Sequence, residues 1–425
     1  MNAPMTIAGH AVRLDADGRL LPWTSWTAAL EREMNFYQQC PFDHGYPRFA
    51  CETFLDASWT PSTQRTGIIP STQNGMGIIS YLKFHALCGE QQAAWLATAC
   101  SMGDYLIKEV LTPDTGKYPA FTRSTGKRAH FPQPADCGSQ SDGPYEIQPD
   151  KGGIAGYALA LLFEATGNAG YLTQALRNAR ALAANQQTGD AARSPWPFRA
   201  DFRSGEGRGP VSGNMTYILR LYRQLAEQGY QEFAQPQRAL WHWIERHQIP
   251  SAGADGALFA QFFEDHDTPA NRSAWAPLNL ARYLLEKRES QSPAWREDCR
   301  LLIEFVRANF THRESGVVVC HEQDEDHQAW GGVNSTYGAV LALYARAIGS
   351  RELASEARQA LNFTLYCIDE QGRPRDLPQN QQPGGWQEDA HTDVIHNYVD
   401  TLRAMPHWAD ADLNTGELLG SDGSF

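Results

Sequence analysis

Apolar residues along this chain recur in paired helical runs. The clearest pair spans 154–186. Its first half, Ile154 to Phe163, is apolar on all sides, and Gly167-Asn168 supplies a turn. In the second half, Tyr171, Leu172, Ala175, Leu176, Ala179, Leu182 and Ala183 fall on one face. That stripe has the i, i+3, i+4 spacing of an amphipathic surface helix, whereas a run apolar all round belongs in an interior. The same plan recurs at 76–109, 214–247, 276–310 and 337–369. In the last of these Gly349-Ser350 breaks the run, and Leu353, Ala354, Ala357, Leu361 and Leu365 form the outer stripe. A sixth apolar run, 393–405, has no following partner, while Trp26, Leu30, Met34 and Tyr37 lie on one face of an unpaired helix near the start. The two ends are therefore expected to supply the sixth pair.

The inner helices are expected to begin near 76, 154, 214, 276, 337 and 393, at intervals of 78, 60, 62, 61 and 56 residues. A period near 60 exceeds the repeats of open helical solenoids, which run about 34 to 47 residues. Six helical hairpins closed end to end predict an all-α (α/α)6 toroid with an inner and an outer ring of helices. The one long interval contains residues 112–153, rich in Pro, Gly, Ser, Thr and Asp, and a loop of that length inside a domain is usually functional. No Pro/Gly/Ser-rich linker marks a boundary elsewhere, so one domain over 1–425 is expected, with a flexible polar tail at 410–425.

Composition narrows the partners. With 36 Lys+Arg against 49 Asp+Glu the net charge is −13, and the densest basic run is Lys127-Arg128, which argues against a nucleic-acid partner. No stretch reaches 18 consecutive apolar residues, so no membrane span is expected. The start lacks a basic segment followed by an apolar one, and the 8 Cys are scattered, which together point to a cytoplasmic protein with reduced thiols. Aromatic content is high, with 12 Trp, 16 Tyr and 18 Phe. It directs attention to where those rings lie.

Polar segments carrying Gly, acids and aromatics fall just before the inner runs, at 70–75, 145–153, 204–213, 261–268, 321–332 and 385–393. In a ring of parallel inner helices their N-termini face one end, so these segments are expected to converge on one mouth. A concave site lined by aromatics and a few polar groups is the default binding site. The six-hairpin plan with such loops resembles the (α/α)6-toroid carbohydrate-active enzymes: inverting glycoside hydrolases, polysaccharide lyases and sugar 2-epimerases. The resemblance covers about residues 25–405 and is architectural, without a family-specific motif. It implies an oligosaccharide substrate, neutral or acidic.

Hydrolysis with inversion needs one carboxylic acid and one carboxylate about 6.5–9.5 Å apart. The candidates are Glu146, Asp150, Glu264, Asp265, Asp324, Asp326, Glu388 and Asp389, with one catalytic acid expected from Glu388/Asp389 and one from Glu146/Asp150. An Asp before a helix is equally an N-cap. Lyase or epimerase chemistry instead needs a Tyr or His base and a group that neutralises a carboxylate. Tyr145, Asn214, Tyr217, Arg272, His327, Asn334, Tyr337, His391 and His396 are available for it, and core packing is the alternative for Tyr217 and Tyr337. Arg199 and Arg203 suit an acidic sugar or an inter-loop ion pair. Trp196, Trp275, Trp330 and Trp386, beside the mouth segments, suit stacking on sugar rings.

No cofactor and no metal site is expected. His391-x-Asp393-x-x-His396 lacks the spacing of zinc enzymes, Cys320-His321 follows an apolar Val317-Val-Val319 run, and Asp324-Glu325-Asp326 reads as an exposed acidic loop. Gly205-Glu-Gly-Arg-Gly209 lacks the Lys-Ser/Thr of a nucleotide loop.

Overall fold

The computed structural model describes residues 6–7, 9–51, 55, 58–60, 66–68, 70–88, 93–130, 143, 145–260, 270–374 and 387–409. Among them are twelve helices of ten or more residues. We number these α1 (Trp26–Tyr37), α2 (Pro70–Cys88), α3 (Ala93–Glu109), α4 (Pro149–Thr166), α5 (Ala169–Ala184), α6 (Thr216–Glu227), α7 (Ala234–Trp243), α8 (Trp275–Lys287), α9 (Trp295–Phe310), α10 (Gly331–Ile348), α11 (Arg351–Leu365) and α12 (Gln387–Ala404). Strands are short. Five of them, β1 (Glu146–Ile147), β2 (Arg199–Asp201), β3 (Gly207–Arg208), β4 (Thr311–Glu314) and β5 (Val317–Cys320), lie in the segments that lead into inner helices.

Contacts cluster into two compact units, one of residues 1–40, 55–60 and 280–425, the other of residues 41–54 and 61–279. The division falls inside α8, not in a linker. The tail at 410–425 and much of the long loop, 131–142 and 144, lie outside the described residues.

In the second unit, α2, α4 and α6 pack side by side through glycine. A Cβ on Gly75 would stand 2.7 Å from Ile154 Cγ2. On Gly153 it would stand 2.6 Å from Ile218 Cγ1, and on Gly156 2.7 Å from Leu221 Cδ2. The matches 153 to 218 and 156 to 221 advance together, so α4 and α6 are parallel, with their N-termini at the same level. α4 is buried along almost its whole length, while α5 buries only the stripe that includes Tyr171, Ala175, Ala179 and Leu182. Inner and outer roles thus follow the hydrophobic pattern. The glycines also explain a shift in boundaries: several inner helices begin about five residues ahead of their apolar runs, because Gly152-Gly153 and Gly331-Gly332 lie within a first helical turn.

Amides on helices hold the connecting segments. Asn178 of α5, fully buried, donates to the Gly152 carbonyl at 2.9 Å and to Thr122 Oγ1 at 2.6 Å, fixing the first turn of α4. In the first unit, Asn397 of α12 donates to Ser335 Oγ at 2.8 Å and Thr336 Oγ1 at 2.9 Å of α10, and accepts from Arg282 of α8. The chain ends meet as the pattern predicts. Trp26 of α1 lies edge-on to Tyr398 of α12 at 5.0 Å, and its indole N–H donates to Asn362 of α11 at 2.9 Å.

Candidate functional site

The segment that enters α4 pairs with a hairpin to make a three-stranded antiparallel sheet, ordered β3-β2-β1. Its register sets Glu146 opposite Asp201 and Arg199 opposite Arg208. Strand alternation puts these four charged residues on one face and Ile147, Ala200 and Gly207 on the other. Two carboxylates directly across a sheet repel, so each requires a counter-charge. Arg203 provides one: its Nη2 and Nε donate to the Asp201 carboxylate at 2.7 and 3.2 Å, and the Arg203 and Ser204 backbone N–H groups donate at 2.8 and 3.1 Å. The guanidinium holds the Asp201 carboxyl well below the usual carboxylate range. Asp201 is thereby committed to the turn.

Glu146 is differently placed. Its Oε2 accepts the Gly143 N–H at 2.7 Å, its Oε1 lies 3.4 Å from Arg208 Nη1, and its side chain remains 22% exposed. Next to it Tyr145 is 48% exposed, and the Arg203 guanidinium carbon sits 3.5 Å above its ring centroid. An accessible carboxylate, an accessible aromatic ring and two guanidiniums therefore share one short sheet. Asp150, in the first turn of α4, is fully buried with Lys151 Nζ 3.4 Å from its Oδ2. There the ammonium and the positive end of the helix dipole supply the counter-charge that a buried carboxylate requires.

The other sequence candidates in this unit are mostly interior. Trp196 is wholly buried, its indole N–H donating to Leu182 O at 3.1 Å, so its ring meets protein on all sides. Arg199 is buried with its guanidinium 4.4 Å over the Phe198 ring. Asn214, just ahead of α6, is buried, and Tyr217 in the first turn of α6 lies 6.2 Å from the Tyr157 ring. Arg272 donates to Asp255 O at 2.7 Å, and Trp275, which opens α8, is 7% exposed. Glu264, Asp265 and Trp386 lie outside the described residues, as do the side chains of Glu388, Asp389 and His391, whose backbone belongs to α12.

In the first unit, the β4–β5 hairpin delivers a loop to the start of α10. Asn334 clamps it, accepting the Cys320 N–H at 2.7 Å and donating to the Cys320 and Trp330 carbonyls at 2.9 Å each. The loop stacks His321 on His327, centroids 4.5 Å apart and planes within 6°, with His312 at 5.7 Å from His321. Burial, and then the neighbouring His327 and His312, push the His321 imidazole down to about 4. At neutral pH it is an uncharged base. Trp330 donates its indole N–H to Asp326 at 2.8 Å. Tyr337 is buried and its hydroxyl donates to Glu356 of α11, so it is directed at the outer helix. His396 is also buried. Sequence reasoning did not single out Asp201, Arg208, Asn178 or His321 for the site. Arg208, within the Gly-rich 204–213 segment, and His321, at the start of the 321–332 segment, stood in regions already under consideration.

Among the described residues no group of three or more His, Cys, Asp or Glu is arranged to hold a metal ion, and no helix is long and apolar enough to cross a membrane. No family model and no curated protein matches the chain. Solved structures do. A D-mannose isomerase matches with a TM-score of 0.66 at 10% identity, over 89% of this chain and 97% of that one. The cellobiose 2-epimerase from Spirochaeta thermophila gives 0.61 at 16% identity, over 89% and 95%. A family 76 glycoside hydrolase from Bacteroides thetaiotaomicron gives 0.60 at 12% identity, over 90% and 78%. The fold is an (α/α)6 toroid. At these identities the likeness is one of architecture, and the helical hairpins expected from the hydrophobic period are those of this toroid.

Proposed function

We propose that the chain is a carbohydrate-active enzyme, and within that class a glycoside hydrolase in which Glu146 is a reacting carboxylate and Tyr145 a stacking surface for a sugar ring. The observation that carries this reading is the pairing of an accessible, hydrogen-bonded carboxylate with an exposed aromatic ring on the sheet leading into an inner helix. The sugar enzymes whose architecture it shares support the class. Hydrolysis requires a second carboxylate, which the reading draws from Asp150, Glu388 and Asp389. The guanidiniums of Arg203 and Arg208 favour an acidic sugar. Incubation with neutral and uronate-containing oligosaccharides, followed by measurement of new reducing ends, tests the reading. It fails if no oligosaccharide is cleaved, or if all four carboxylate-to-amide variants cleave at the wild-type rate.

A second reading, elimination or epimerisation by proton transfer, is favoured by the neutral His321 stacked on His327. It predicts solvent deuterium incorporated into the sugar, or the ultraviolet absorbance of an unsaturated uronate, with loss of either in His321→Gln. Hydrolysis produces neither signal.

A further inference from the structure

The second unit carries a cleft that takes no part in the proposed reaction. It lies between the C-terminal end of α5 and the helix continuing from α7, and has a volume of about 410 Å³. That is within the range of small-molecule sites, about 300–1,000 Å³. Its lining includes His242, Arg246 and His247, three glutamines and no carboxylate, in a chain whose net charge is −13. None of the three basic side chains makes a hydrogen bond or ion pair among the described residues.

The backbone is shaped to bring these side chains together. After α7 the helix widens into a π-turn, Ile244–Gln248, in which the Ile249 N–H donates to the Ile244 carbonyl five residues back. In a regular α-helix, Arg246 lies one turn beyond His242, but residue 247 points elsewhere. The wider turn brings His247 round towards the same side, and single π-turns within helices recur at functional sites. The cleft wall is equally specific. Gly189 adopts φ +70°, and a Cβ there would stand 2.6 Å from Trp243 Cδ1. The Trp243 indole N–H is occupied by the Asp190 and Arg193 carbonyls at 3.0 and 3.1 Å, leaving the basic groups to face the cleft.

We propose that this cleft is a binding site for a small ligand bearing an anionic oxygen group, a carboxylate or a phosphate, held by Arg246 with His242 and His247. Guanidinium pairs with both groups through two parallel N–H donors, and imidazoles and primary amides supply further donors. The inference stands apart from the Glu146 reading and does not need it.

Calorimetric titration of the full chain with glucuronate, glucose phosphate and glucose tests it. Binding of at least one anionic probe is expected, weakening as salt is added, with affinity lowered about tenfold or more in Arg246→Gln and no binding of glucose that Arg246→Gln removes. Glucose phosphate binding weakened by Arg246→Gln separates this site from the proposed reaction, in which neither Arg246 nor His242 takes part. A preference for glucuronate or for glucose phosphate assigns the anionic group. If neither anion binds, or if both bind equally to wild type, Arg246→Gln and the Arg246→Gln/His242→Gln double variant, the proposal is overturned. Arg246 and His242 are exposed, so the variants should fold, which circular dichroism confirms.

Discussion

The Lys151 ammonium lies 3.4 Å from the Asp150 carboxylate, and neither side chain is exposed to solvent. Removing one partner of a buried ion pair leaves the other charge without its counter-ion, which costs about 3–5 kcal/mol. Lys151→Met should therefore lower the urea midpoint strongly, and Lys151→Met with Asp150→Asn should recover part of the loss. Equal destabilisation by the single and double variants would show that the pair is not the stabilising unit.

Gly153 faces the Ile218 side chain, with a Cβ position 2.6 Å from Ile218 Cγ1 and 3.1 Å from the Ile218 backbone N. Gly153→Ala should force α4 and α6 apart, destabilising by about 1–3 kcal/mol as overpacked cores do. A melting temperature at or above that of wild type would contradict the close helix approach. Gly167→Ala serves as a contrast: φ is +71° there, yet nothing stands within 4 Å of its Cβ position, so only backbone strain is added.

His321 is pushed down to about 4 in the folded chain by burial and by its two histidine neighbours, against an ordinary value of about 6.5. Between these values the unfolded chain binds more protons at this site, so stability rises with pH. The contribution of neutral His321 is complete above about pH 6.5 and is lost as pH falls towards 4. Urea unfolding at intervals across this window should show wild type losing more stability on acidification than His321→Gln. Parallel curves would refute the burial of a neutral imidazole.

The toroid was legible because helical periodicity is local: the stripe at Tyr171, Ala175, Ala179 and Leu182 and the turns at Gly167 and Gly349 require no knowledge of distant contacts. The starts of the inner helices were less legible. Glycine reads as a breaker in isolation, whereas Gly153 is required by Ile218, some 65 positions along the chain. For the same reason Trp196 read as a loop residue available to a ligand, and only the fold shows it under Leu182. Asn178, Asn334 and Asn397 carry no distinguishing pattern, since a buried amide that binds a loop is identical in sequence to an exposed one. His321 and His327 are near neighbours in sequence, but their stacking depends on the β4–β5 hairpin and the Asn334 clamp.

Asn334 provides a test of that clamp. Asn334→Ala removes the partner of the Cys320 N–H and of two carbonyls, and a buried backbone group left unpaired costs about 1–3 kcal/mol. The variant should lose stability, and the amide exchange of residues 320–330 should quicken more than that of α5. Uniform acceleration across the chain would show instead that the effect is global.

The proposed function rests most directly on Glu146. Wild type and Glu146→Gln should be compared on uronate-containing oligosaccharides, with new reducing ends and solvent deuterium incorporation followed in the same samples. The account predicts new reducing ends with wild type, neither deuterium in the sugar nor the ultraviolet absorbance of an unsaturated uronate, and a fall in turnover of about a hundredfold or more in Glu146→Gln, as loss of a general acid or base produces. Cleavage at the wild-type rate by Glu146→Gln, cleavage accompanied by the absorbance of an unsaturated uronate, or deuterium incorporation without cleavage would contradict it.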